Sequence, residues 1–286
     1  MSRVLLLLLL LPGWTVQAAE LKVATWNLDW LTLRHAGDPA LPQDVVPKSA
    51  EDLAVLQEYA RVLDADVVAL QEVDGPEVAA RLFPPDRYAL FFTRDRVVQR
   101  VGFAVRRGLT VEHNPDLVAL ALHSGERQRL RSGADITLVL PGARLRLLAV
   151  HLKTGCHEGR LTTPNSRNCD ILQRQLPALQ GWIAERQREA APFLLLGDFN
   201  RRMDRRRDDL IDGLNQAGPL IRATQGRASP CWGGGSFIDH ILAGGAARAW
   251  MQPQTLSVLV YRETAPEQKD HLSDHCPVSV RLRIPD

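Results

Sequence analysis

The chain has 286 residues, 45% hydrophobic and 24% charged, with 35 basic and 33 acidic side chains and a formal charge of +2. So even a balance gives no bulk electrostatic sign of a nucleic-acid partner. Lysine occurs only at positions 22, 48, 153 and 269. The remaining basic residues are arginines, whose planar forks suit phosphate, although an arginine-rich proteome would leave the same bias.

The N-terminus reads as an address. Arg3 is a short basic start, Val4 to Leu11 an apolar core, and Val16-Gln17-Ala18 a small-residue cleavage signal. Residues 1–18 are expected to be a signal peptide, because the apolar run is too short to span a bilayer. A retained anchor is the rival reading. No cysteine follows the apolar core, which argues against lipoprotein processing. The expected location is secreted or periplasmic, with no stable membrane insertion, and a monomer is expected. Residues 19–286 show no repeat and no long linker, and read as one domain.

Leu21 to Leu28 is a predicted strand, and Gly37 to Pro47 a surface loop. Ser49 to Leu63 reads as a helix with Ser49 as N-cap and Asp52 three residues on. Val67–Leu70 is a buried strand and Pro76–Leu82 a short helix. Tyr88–Thr93, Val97–Val105, Ile136–Leu140 and Arg144–Val150 read as strands, the last two joined by a Pro141-Gly142 turn. Asp170–Gln187 is a predicted helix that Pro177 should kink or split. Phe193–Leu196, Ile238–Leu242 and Val278–Arg283 complete the strand set. Strands outnumber helices and come partly in hairpins, which suits two packed mixed sheets with helices outside.

Several of these strands end on chemistry. Pro192 to Leu196 reads as a buried strand and runs into Gly197-Asp198-Phe199-Asn200. On an extended chain Asp198 and Asn200 would point the same way. An acid that orients water beside an amide that holds an oxyanion suits phosphoester hydrolysis. Thr25-Trp26-Asn27-Leu28-Asp29, Leu70-Gln71-Glu72-Val73, His151-Leu152-Lys153-Thr154-Gly155, Ile238-Asp239-His240 and Ser273-Asp274-His275 share that grammar. The termini of neighbouring strands are where a ligand can bind.

In this order the six segments resemble the endonuclease/exonuclease/phosphatase superfamily, with its deoxyribonuclease I-like fold, over nearly the whole chain after residue 20. The resemblance implies a four-layer α/β sandwich and a metal-dependent hydrolase of phosphoesters. Glu72 with Asn27 would hold Mg²⁺, with Mn²⁺ or Ca²⁺ as substitutes. Asp274 would lie close to the metal. Asp29 matches an acidic position found only in some members and could instead cap a turn. Asp198 would orient the attacking water, Asp239 would orient His275, and His275 would meet the phosphate. His151 would face the scissile phosphate, but the glutamate that holds its ring in deoxyribonuclease-like members has no match near Arg94 to Arg100. Arg131 sits where nuclease members place a phosphate-contacting arginine. His240, beside Asp239, is read as structural. Arg201, Arg202 and Arg205–Arg207 could follow a phosphate backbone, or form a solvated loop paired with Asp204, Asp208 and Asp209.

The four cysteines of an exported chain imply disulfides. Cys156 and Cys169 flank a polar loop, while Cys231 and Cys276 each lie near a site motif. We favour 156–169 with 231–276 among the three possible pairings. Free thiols or zinc remain as alternatives, although no CxxC or paired-histidine spacing is present.

The expected substrate is nucleic acid. The alternatives are an inositol-phosphate phosphatase, a sphingomyelinase-like or other phospholipase, and an inactive binding module. Pro230-Cys231-Trp232 resembles the inositol-phosphatase branch only loosely, and aromatic residues are few for a lipase. An abasic-site repair role is disfavoured by export.

Overall fold

Unbroken apolar runs such as Phe193–Leu196 belong to strands covered on both faces. The structure is a computed structural model and describes residues 19–123, 129–204 and 208–285. The expected signal peptide and Arg205–Arg207 lie outside the described residues.

The chain begins β1 (Glu20–Leu31), α1 (Ala50–Leu63), β2 (Val67–Val73), α2 (Pro76–Leu82), β3 (Tyr88–Phe92), β4 (Arg100–Arg106) and β5 (Thr110–His113). It continues β6 (Ala134–Leu140), β7 (Ala143–His151), α3 (Arg167–Arg188), β8 (Phe193–Asp198), α4 (Asp209–Ala217) and β9 (Ile221–Arg222). It ends β10 (Ala228–Ser229), β11 (Gly235–Ser236), β12 (Asp239–Gly244), α5 (Ala247–Trp250), β13 (Met251–Val258), α6 (Gln268–His271) and β14 (Val278–Arg283).

Two six-stranded mixed sheets form the body, ordered β13-β14-β1-β2-β4-β3 and β5-β6-β7-β8-β12-β9. Each has one parallel pair, β1 with β2 and β7 with β8. Val23, Val67 and Phe103 of the first sheet share a core with Leu147, Leu194, Leu196 and Ile241 of the second. The alternate residues face outward. Ala24, Trp26 and Leu70 pack beneath α1 and α2, and Leu148, Phe193 and Leu195 beneath α3 and α4. This is the expected four-layer sandwich.

Ser49 caps α1 through its bond from the Asp52 amide, and Asp52 bonds back to the Ser49 amide. Helix α3, which Pro177 is expected to kink or split, runs through it without a split. Pro177 and Gln173, four residues earlier, are both exposed. The carbonyl that loses its partner there can be served by water. Helix α4 and strands β5 and β13 have no counterpart in the sequence pattern. β13 carries Pro253 and shifts register between Gln252 and Ser257 at the sheet edge, where a missing N–H is tolerated.

Both favoured disulfides are present, Cys156–Cys169 and Cys231–Cys276. No described helix is long and apolar enough to cross a membrane. The bridges span 13 and 45 residues, which on the chain-entropy account gives about 3 and about 4 kcal/mol. Replacing Cys231 and Cys276 together by serine should therefore lower unfolding stability at least as much as replacing Cys156 and Cys169. Urea unfolding of the two variants checks this, and a reversed order would mean that loop length does not set their contributions.

Candidate active site

Three strand ends of the second sheet lie in one register row. Asp198 pairs with His151 on one side and with Asp239 on the other. Gly197 just before it has φ +144, and a side chain there would run into the Val150 carbonyl. Glycine is what lets β8 approach β7 so closely at the site.

Asp198 is 1% exposed. Its carboxylate accepts from the Asn200 amide at 2.7 Å, from Asn200 Nδ2 at 3.0 Å and from Asn27 Nδ2 at 3.0 Å. Asp198 and Asn200 do converge, but through a turn, since Asn200 has φ 52. Asn200 Nδ2 also donates to the Leu152 carbonyl at 3.2 Å. Both its hydrogens are thus engaged, and the amide steadies Asp198 rather than standing free for an oxyanion. Burial pushes the Asp198 carboxyl well above the usual carboxylate range, against the pull of His275 and the amide donors.

The first sheet contributes Asn27 and Glu72. Asn27 Nδ2 bridges Asp198 and Glu72, 3.1 Å from Glu72 Oε1. Gln99 donates to the other Glu72 oxygen. Glu72 itself has φ 58, and Asp29 and Trp30 have φ 41 and 56. Left-handed backbone at such residues costs about 1–3 kcal/mol each and gathers at functional sites. Asp29 is held by Lys48 Nζ at 3.2 Å, and Lys48 also donates to the Asp270 carbonyl at 2.7 Å. Burial pushes Asp29 up to about 6, with Lys48 opposing and Asp274 and Glu72 adding to the rise.

His275 stands on the opposite wall. Its Nδ1 lies 2.7 Å from Asp239 Oδ2 and its Nε2 lies 3.8 Å from Asp198 Oδ2. Burial works against the charged ring, but Asp239 and Asp198 outweigh it and raise its pKa well above the ordinary histidine value. Both carboxylates therefore favour the charged ring. Asp274 lies 3.6 Å from His275 Nε2, and its side chain is 60% exposed at the cleft mouth. Ser273 Oγ donates to the Asn27 carbonyl and accepts from the His275 amide. Tyr261 donates to the His275 carbonyl and accepts from Trp26 Nε1, both at 2.9 Å. The Cys231–Cys276 bridge pins the next residue. His240 turns away, between Thr224 Oγ1 and the Arg201 carbonyl, and burial holds it neutral with a pKa of about 3.

His151 Nε2 sits 3.4 Å from Glu72 and 3.5 Å from Asp198. Its Nδ1 is buried without a partner. Burial, and then Arg131, press its pKa well below the ordinary value. Arg131 is 7% exposed, its Nε has no partner, and Glu72, Asp198 and Asp95 oppose the loss of its charge on burial.

Arg201 forms the expected pair with Asp208, but as a buried ion pair rather than in a solvated loop. It is fully buried, paired with Asp208 at 2.5 Å and bonded to the carbonyls of Cys156 and Gly159. Arg202 is 3.7 Å from Glu158 at the surface, and Asp204 pairs with Arg222.

These groups open into a cleft of about 680 Å³, lined by Glu72, Arg131, His151, Asp198, Asp274 and His275 among others. Glu72 Oε1, His151 Nε2 and Asp198 Oδ2 lie within 4.8 Å of one another, as do ligand atoms of Asp198, Asp239 and His275. The hard carboxylate oxygens of the first cluster, with Glu72 opening to the cleft, fit a divalent cation such as Mg²⁺. Lys48 and Tyr261 were invisible as site residues in the sequence, and Ser273 and Gln99 stood out only as neighbours of site motifs. Only the rarity of lysine could have singled out Lys48.

The profile of the Endonuclease/Exonuclease/phosphatase family matches residues 24–275, and the chain belongs to this family. It has that family's hydrolase fold, whose enzymes depend on divalent metal. Among solved structures, the AP endonuclease LMAP of Leishmania major is 16% identical, with a TM-score of 0.60 over 93% of this chain and 88% of that one. TDP2 of D. rerio complexed with a single-strand DNA product is 17% identical, with a TM-score of 0.56 over 92% and 98%. The human Nocturnin catalytic domain with bound sulfate is 16% identical, with a TM-score of 0.58 over 92% and 93%. Curated protein sequences give no significant match.

Breaking a buried ion pair leaves one charge stranded, at about 3–5 kcal/mol. Arg201→Met should therefore lower unfolding stability by about that amount. Urea denaturation measures it. A variant as stable as the parent but weakened toward polyanions would restore Arg201 to the ligand side.

Proposed function

We propose that the protein is an exported phosphodiesterase, dependent on a divalent metal, that cleaves nucleic acid by in-line attack of water. One observation carries the reading. The Asp198 carboxylate lies at the meeting point of both sheets, within 4 Å of two imidazoles, one of them kept cationic by Asp239. Paired disulfides support export, as does the expected signal peptide at residues 1–18.

Glu72, with Asn27 beside it, would hold Mg²⁺, or Mn²⁺ or Ca²⁺ in its place. When bound, the metal neutralises charge on the phosphate oxygens. Asp29 is engaged by Lys48, so it and Asp274 add negative charge around the metal rather than direct bonds. Asp198 accepts the proton of the attacking water, and Asn27 and Asn200 fix its orientation. His275 presents Nε2–H to the phosphate and stabilises the charge of the pentacoordinate state. Asp239 locks the ring and its tautomer. His151, neutral and without a carboxylate on Nδ1, contacts the phosphate rather than moving protons. Arg131 supplies a buried, weakly hydrated cation for a phosphate oxygen. Attack is direct, with no covalent enzyme intermediate. The DNA product in the TDP2 structure supports a nucleic-acid substrate by likeness of fold.

Asp198→Ala, His275→Ala and Glu72→Gln should each lower turnover of bis-p-nitrophenyl phosphate by about a hundredfold or more, with circular dichroism unchanged. EDTA should abolish turnover. Mg²⁺ or Mn²⁺ should restore it, least readily in Glu72→Gln. Near-parental turnover by His275→Ala would show that the imidazolium has no part in the reaction.

Arg131→Ala should damage cleavage of plasmid DNA more than hydrolysis of the small diester. It should also lower the salt dependence of DNA binding by about one unit of slope. Equal damage to both substrates, or turnover of sphingomyelin or an inositol phosphate with DNA and RNA intact, would remove the nucleic-acid assignment.

A further inference from the structure

Next to the catalytic groups lies a tryptophan that the hydrolytic chemistry does not use. Trp30 follows Asp29, and both residues adopt left-handed backbone, with φ 56 and 41. A bulky side chain rarely takes that conformation, and outliers of this kind point to function. Here they break the pairing of β1 with β2 between Asn27 and Leu31. Trp30 is left partly exposed, with no hydrogen bond or ring partner among the described residues. Tryptophans 26, 182 and 232 each donate their indole N–H to a named acceptor, and Trp250, which has none, is buried in the core between the sheets.

The position of the ring is as telling as its lack of partners. Trp30 and Pro42, together with Asp29, line the catalytic cleft and also an adjoining cavity of about 310 Å³, bounded by Asp44, Val45, Val46, Lys48 and Asp270. They therefore form the wall between the two spaces. The other linings of the cleft include Arg96, Arg129, Arg131 and Lys153. Burial lowers the pKa of the Lys153 ammonium, and Arg131 and Arg167 add to the shift. The cleft thus offers an apolar side chain beside the reacting groups, and four cations that share the lining with the carboxylates Asp29, Glu72, Asp198 and Asp274. An inositol phosphate has no use for that side chain. A lipid tail has no use for the cations.

We propose that Trp30, backed by Pro42, is a stacking platform for an unpaired base of the substrate, and that the protein acts on single-stranded nucleic acid or an unpaired end. This rests on the nucleic-acid reading above and specifies it. A base in a duplex keeps its faces stacked on its neighbours, so it cannot use the platform. An unstacked base can, whatever its identity, because every base has a π-face.

The test compares an eight-nucleotide single-stranded DNA with an oligomer of the same length and charge in which abasic spacers replace the bases. Binding is read by fluorescence anisotropy in EDTA, and cleavage by KM and kcat with Mg²⁺. Trp30→Ala should weaken binding and raise KM for the natural oligomer by about tenfold or more, with little change in kcat. The abasic oligomer should bind the variant and the parent alike. Trp30→Phe, which keeps a stacking face, should recover most of the loss and shows that the alanine effect is not misfolding. Equal weakening of both oligomers, or of neither, overturns the platform. A parent protein that hydrolyses bis-p-nitrophenyl phosphate yet binds neither oligomer also overturns it, while leaving the hydrolase reading intact. If no diester is turned over at all, the hydrolase reading fails, and the binding contrast in EDTA still decides the role of Trp30.

Discussion

The site depends on one buried carboxylate. Asp198 ends a strand of the second sheet, yet a donor from the first sheet, Asn27, reaches it across the interface. Burying such a charge unpaired would cost several kcal/mol. Here its oxygens collect three amide N–H donors and face two imidazoles. Burial and the donors pull in opposite directions, which keeps its proton affinity high for a carboxylate without stripping it of partners. The two sheets cannot slide or part without breaking this cluster, so the packing of the sandwich and the geometry of the site are one constraint.

A second layer of contacts holds the groups that surround Asp198. Ser273 ties the His275 loop to the Asn27 backbone. Tyr261 ties the same loop to Trp26 beneath the first sheet. The Cys231–Cys276 bridge fastens its far side. His275 is thereby presented on a loop that behaves as part of the scaffold, which suits a group that must meet a reacting atom at a fixed distance. Arg201 does the same for the other wall, joining the loop behind Cys156 to the segment that follows Asn200.

Much of this was legible in the sequence because polar residues at the ends of apolar runs are conspicuous. His151, Asp198 and Asp239 each close or open a strand, and strand pairing brings them into one row. Helix α1 was legible for a local reason, its capping box. What was hidden depended on tertiary contact. Nothing near Lys48 in sequence reveals that Asp29 will meet it, and Tyr261 lies in a segment with no motif. Edge strand β13 has too mixed a pattern for periodicity to find. Proline did not split α3, because its cost depends on whether the freed carbonyl can reach water, which follows from where the helix sits.

Two of the buried arginines, Arg131 and Arg201, show how partner accounting separates support from function. Arg201 and Arg131 lie close to the same site motifs, and sequence offers no way to rank them. Arg201 finds Asp208 and two backbone carbonyls, so its charge is satisfied by the fold and nothing is left over for a ligand. Arg131 is almost as deeply placed, but its Nε has no acceptor and its compensating carboxylates, Glu72 and Asp198, belong to the site. A guanidinium held in that condition is costly to the folded protein. On the function proposed above, a phosphate in the cleft would supply the missing acceptor.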